Sequence, residues 1–149
     1  MLSLEAIVTS VSRQAAAELP EGLAIAWPGR QLDTESIGEW SELWCDDALG
    51  VVQREHSPER REITVTAHVF VRPSNQTTRV HELAEAARRA FHDRTISIVE
   101  PGDDDGAIVG VIRFREADVR DLTRLHAEVE RRPLHHLVVM VRGTAQETL

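Results

Sequence analysis

An α+β domain is predicted here, a mixed or antiparallel sheet of about six strands with two main helices packed on it. Two stretches show helical spacing of apolar residues, Leu4 to Ala15 and Val80 to Phe91. Several others show strand character, the clearest being Ile63 to Val71 with its strict alternation. The order of these pieces lacks the regular strand-helix-strand repeat of a parallel α/β fold. No internal repeat and no long linker divides the chain, so residues 1–149 read as one domain.

The first helix follows from Leu4, Ile7, Val8, Val11 and Ala15, with Ser3 placed to cap its first turn. Pro20 and Gly22 stop it. Leu23 to Trp27 then reads as a short buried strand, ended where Pro28 removes a donor and Gly29 permits a turn. Gln31 to Gly38 is a polar loop.

A strand over Trp40 to Cys45 puts Trp40 and Trp44 on one face and Leu43 and Cys45 on the other, because side chains alternate with period two. Glu55 to Arg61 is charged, contains Pro58 and offers nothing apolar to bury, which makes it a solvated loop or hairpin tip.

In the strand Arg61 to Arg72, Ile63, Val65, Ala67, Val69 and Val71 form one face; Thr64, Thr66, His68 and Phe70 form the other. Pro73 ends it and Ser74 to Thr78 connects it to the second helix. That helix buries Val80, Leu83, Ala84, Ala87 and Phe91 and turns Glu82, Glu85, Arg88 and Arg89 to water, where they form weak ion pairs.

Thr95 to Val99 and Ala107 to Arg115 form a hairpin around the turn chemistry of Pro101 to Gly106. From Asp121 to Val129, the spacing of Leu122, Leu125 and Val129 predicts a short helix or turn before Pro133. Leu134 to Thr148 closes the chain as a β-rich run whose apolar character fades beyond Val141.

Composition narrows the function. The chain is 42% hydrophobic and 28% charged, the balance of a globular domain, and its net charge of −8 opposes a reader of nucleic-acid phosphates. No apolar run approaches the roughly 20 residues of a membrane span. The opening Met1 to Glu5 has neither the basic nor the apolar region of a secretory signal, so synthesis and folding in the cytoplasm are expected. The single cysteine, Cys45, excludes an internal disulfide and reads as a half-buried small residue. Every basic residue is arginine, with no lysine. A Walker-type phosphate loop, which needs lysine, is therefore excluded.

No other motif carries chemistry. Asp103, Asp104 and Asp105 resemble a cation site only in composition: an EF-hand counted from Asp103 would need glutamate where Phe114 stands. The histidines form no H-E-x-x-H or H-x-x-x-H arrangement. Adjacent His135 and His136 point to opposite sides of a strand, and His81 and His92 lie about 16 Å apart along a helix. There is no G-x-S-x-G elbow, and no particular carboxylate pair is favoured. No catalytic residue, cofactor or metal is predicted. Trp27, Trp40 and Trp44 suit a core or a subunit interface better than a ligand pocket.

The order of the pieces resembles the tail terminator proteins, also called tail completion or neck proteins, of long-tailed bacteriophages and related gene-transfer particles. The likeness is carried by the opening helix, Ile25 to Gly29, the strand Ile63 to Val71 with the helix Val80 to Phe91, the hairpin around Asp103 to Asp105, and the closing Leu137 to Glu147. It implies a virion tail or neck protein that acts as a ring, usually a hexamer. The ring caps the tail tube, stops its polymerisation and joins it to the head-tail connector or adaptor. DNA then passes through without specific binding, and an acidic wall suits that passage because like charge repels phosphate.

On this view Asp103, Asp104 and Asp105 are candidates for the lumen or rim. Candidates for the interface with a neighbouring subunit or the tail tube protein are Trp27, Pro28, Arg30, Trp40, Trp44, Val139, Val141 and Arg142. Two alternatives remain open: a head-tail adaptor or tube-like subunit, and a small-molecule-binding or enzymatic domain with a pocket converging on His68, Trp44 or the acidic residues.

Overall fold

The computed structural model describes residues 2–48, 60–72, 78–102, 106–123 and 134–148. The predicted Asp103 to Asp105 turn, most of the Glu55 to Arg61 segment, the 73–77 connection and the stretch 124–133 lie outside the described residues.

Helix α1 spans Leu4–Glu18 and begins where Ser3 Oγ accepts the Ala6 N–H at 3.0 Å, the cap its sequence predicts. The strand β1, Ala24–Ala26, ends in a turn closed by the Arg30 N–H donating to the Trp27 carbonyl at 2.9 Å. Gly29 sits in this turn at φ +78°, a conformation that glycine adopts without steric cost. Then come β2 (Glu39–Ala48), β3 (Arg60–Val71), α2 (Arg79–Phe91), β4 (Thr95–Val99), β5 (Ile108–Asp121) and β6 (His135–Glu147).

The six described strands form one sheet in the order β1-β2-β3-β6-β5-β4. The β1–β2 pair is parallel and the others are antiparallel. The architecture is therefore α+β with a mixed sheet, as the sequence predicts.

Both helices lie against the sheet and against each other: α1 meets β4 and β2, and α2 meets β3, β6 and β5. Alternation explains the face they cover. Ile63, Val65, Ala67 and Val69 of β3 join Val139 and Val141 of β6 in one core with Ile7, Val11, Leu83 and Phe91 of the helices. Burying each large side chain stabilises the fold by about 1.5–3 kcal/mol. The small residues Ala84, Ala86, Ala87 and Ala90 are buried along α2. Gln14 donates from α1 to the Ala90 carbonyl at 2.8 Å. Ser10 Oγ accepts the Val99 N–H of β4 at 3.0 Å.

One element differs from expectation. The strand expected over Ala107 to Arg115 runs further, β5 continuing past Arg115 through a bulge between Phe114 and Ala117 to Asp121, the first residue of the expected short helix or turn. The Ala117 N–H in this bulge donates to His92 Nδ1 at 3.0 Å. The strand persists because its far half pairs with β6, Asp121 lying opposite Leu137. Thr123, two residues on, is helical, and the rest of the expected helix or turn, from 124, lies outside the described residues. The Asp121 carboxylate then accepts the Thr123 N–H at 2.9 Å, an Asx turn that ends the strand. Those hydrogen bonds from Thr123 hold the Asp121 carboxyl below its ordinary range.

Candidate functional site

Because the helices share one face, the even-numbered residues of β2, β3 and β6 emerge on a face that no described helix covers. Register arranges them in rows. In the first, Trp40, Phe70 and His136 stand directly opposite one another on β2, β3 and β6. Their rings stack, with centroids 5.0 Å apart for Trp40 and Phe70 and 4.2 Å for Phe70 and His136. The Arg72 guanidinium lies 5.2 Å from the Trp40 ring centre, a cation–π contact. The same arginine donates to the carbonyls of Ile37 at 3.0 Å and Thr34 at 2.9 Å, tying down the loop after β1. Leu32 and Ile37 of that loop pack on Trp40, Phe70 and Leu134 as a second, smaller core.

The next row holds Glu42, His68, Val138 and Arg120. His68 Nδ1 lies 2.8 Å from His136 Nε2, so one of the two nitrogens donates and the other accepts. Burial holds His68 below its ordinary pKa, and the nearby Glu42 carboxylate only partly opposes this. The contact needs at least one neutral ring, and burial favours that state at His68.

Trp44, Thr66, Met140 and Asp118 form the third row. Here the surface opens: Trp44 is 55% exposed and Met140 42%. A cleft of about 460 Å³ lies beside Trp44, bounded by Trp27, Arg30, Leu32 and Glu42.

The predicted interface residues thus divide. Trp44, Arg30 and Arg142 are exposed, while Trp27 and Pro28 are half-buried at the edge of the cleft. Trp40 is 4% exposed and belongs to the stacked row, and Val139 and Val141 lie in the core under the helices. Those last three present almost no surface to a neighbour. Asp103, Asp104 and Asp105 lie outside the described residues.

Cys45 is half-buried, and burial together with Asp46 and Asp47 pushes its thiol up to about 12. It is a protonated, weakly nucleophilic group. Asp47 is hydrogen-bonded to Arg61, whose Nη1 also donates to the Leu2 carbonyl at 2.9 Å. At the other end of β2, Glu39 is held below its ordinary pKa chiefly by its hydrogen bonds to Arg79, at 2.8 and 2.9 Å. Among the described residues no group of three or more His, Cys, Asp or Glu is arranged to hold a metal ion. No described helix is long and apolar enough to cross a membrane.

Sequence reasoning missed the contact between His68 and His136. Alternation placed His68 and Phe70 on one face, but the partner strand and its register are long-range properties that no local spacing encodes.

No family model and no curated protein matches the chain. A solved structure whose name states no function superposes with a TM-score of 0.59 and 14% identity, covering 100% of this chain and 98% of its own. At that identity the likeness carries the fold alone.

Proposed function

We propose that this chain is a structural subunit of a long-tailed phage or related gene-transfer particle, a tail terminator that assembles with copies of itself into a ring. The ring caps the tail tube, stops its growth and meets the head-tail connector. The observation that carries this reading is the third row of the helix-free face, where Trp44 and Met140 stand exposed on either side of Thr66. Large aromatic and methionine side chains are enriched where proteins bind one another. A second support is the net charge of −8, which suits a passage for DNA that must not adhere. The protein would be made in the host cytoplasm and end in the virion neck.

The test is to measure the mass of the pure protein by light scattering and to image it with and without purified tail tubes. Rings that seat on one end of the tube and halt its extension support the reading. A protein that leaves the tube ends growing overturns it, and a ring inserted along the tube or bound only to the head connector favours the adaptor alternative.

The cleft between Trp27 and Trp44 favours a second reading, a domain that binds a small molecule. Saturable quenching of tryptophan fluorescence by a small aromatic ligand, with the protein monomeric throughout, would support it.

A further inference from the structure

The sheet has two edges of different kinds. β1 pairs with β2 only from Trp40 to Glu42, and beyond that point the strand continues to Ala48 with no described strand on that side. The Arg72 N–H donates to the Gly38 carbonyl at 2.8 Å, which fixes the antiparallel bonding phase. Trp40, Glu42, Trp44 and Asp46 therefore exchange backbone bonds with β3. Cys45 and Asp47 turn their N–H and C=O groups outward, away from β3.

At the other end of the strand order is β4, bonded among the described strands to β5 alone. The Phe114 N–H donates to the Arg94 carbonyl at 2.8 Å, so Ile96 and Ile98 bond to β5 and Thr95, Ser97 and Val99 face outward. Ser10 occupies the Val99 N–H. Among the described residues Thr95 and Ser97 are left as the open part of the edge, beside a cleft that Ser10, Arg13 and Gln14 of α1 also line.

Resting on the ring reading above, we propose that copies of this chain join head to tail, the β4 edge of one subunit adding to the distal half of β2 in the next. Such an interface is heterologous, and a heterologous interface closes into a ring when its rotation permits. Backbone bonds across an exposed edge supply binding, and flanking side chains supply selectivity. Charge selects the occupant. Glu42 and Asp46 lie on the helix-free face of β2, whereas Arg113, opposite Thr95, lies on the same face beside the other edge. Asp46 and Arg113 are both exposed. Pairing β2 with a second β2 would bring two acidic strands together, and acidic edge residues commonly guard against such pairing. Pairing it with β4 sets Asp46 near Arg113.

Proline is tolerated at edge positions whose N–H faces outward, where it removes the donor an added strand needs. Cys45→Pro blocks the β2 edge and Ser97→Pro blocks β4, with circular dichroism and thermal melting as checks on folding. Each variant alone should run as a monomer in sedimentation. An equal mixture should form a heterodimer and nothing larger, because one intact edge of each kind remains. A ring from either variant alone, a homodimer of Ser97→Pro, or a monomeric natural protein at all concentrations would overturn the proposal.

Should the prolines unfold the chain, Asp46→Arg and Arg113→Glu test it with exposed side chains. Each alone should weaken association about tenfold at low salt and the pair together should restore most of it; equal association of all forms overturns the proposal. Rings joined by these edges that leave tail tubes uncapped would overturn the tail reading and leave this inference standing. Capped tubes with intact Cys45→Pro rings would do the reverse.

Discussion

His68 Nδ1 and His136 Nε2 meet at 2.8 Å across two neighbouring strands, on the face of the sheet opposite the helices. Only one proton fits between them, so the contact requires that at least one ring be neutral.

That requirement sets the pH dependence. Burial holds the His68 pKa below that of the unfolded chain, so the unfolded state binds more protons as pH falls through about 6.5. Stability from this group is complete above the unfolded value and is lost toward the lower folded value. Thermal melting from pH 8 to pH 5 should show a steeper fall for the natural protein than for His68→Gln, which removes the titrating ring. Parallel curves for the two would sink the assignment.

Gly143 illustrates a different constraint. A Cβ there would lie 2.7 Å from Phe114 Cδ1 and 3.1 Å from Ile112 Cγ2, both on the neighbouring strand. Phe114 is buried and packs edge-on against Phe91, with ring centres 5.1 Å apart, so it has little room to retreat. Gly143→Ala should cost about 1–3 kcal/mol in urea unfolding through overpacking. Combined with Phe114→Leu, the two effects should fall short of additive by at least ~0.5 kcal/mol, since the sites touch. Full additivity would mean that the ring is not what excludes the methyl.

The two helices and most strands were legible in the sequence because they rest on local signals. Ser3 before Leu4, Pro28-Gly29 after β1 and the alternation from Ile63 to Val71 each report on their own neighbourhood. The far half of β5 was not legible, because Asp121 is held in the strand by pairing with Leu137 on β6. The site divides in the same way. Trp40 and Trp44 were correctly placed on one face, but their different burial comes from Leu32 and Ile37 in the loop that folds over one end of it.

Cys45 should be slow to alkylate. With its thiol pushed up to about 12, roughly a ten-thousandth of the population is thiolate at pH 8, against about a quarter for an ordinary cysteine of pKa 8.5. Iodoacetamide labelling followed by mass spectrometry should therefore show at least a hundredfold slower modification in buffer than in urea. Equal rates would show that neither burial nor Asp46 and Asp47 suppresses the thiolate.

Trp40 and Trp44 differ by four residues on one strand face and should respond oppositely to truncation. Trp40 is 4% exposed and stacked on Phe70, so Trp40→Ala should cost about 3–5 kcal/mol of folding stability. Trp44 is 55% exposed, and Trp44→Ala should leave stability within about 0.5 kcal/mol of the natural protein. If the helix-free face binds other copies, the same change should weaken self-association at least tenfold, about 1.4 kcal/mol, since exposed tryptophans are frequent anchors of interfaces. Sedimentation and urea unfolding on the same samples separate the two effects. A Trp44→Ala protein that associates as tightly as its parent would remove this row from the interface, because an anchor that is half exposed on that face must lose contact area when it is truncated.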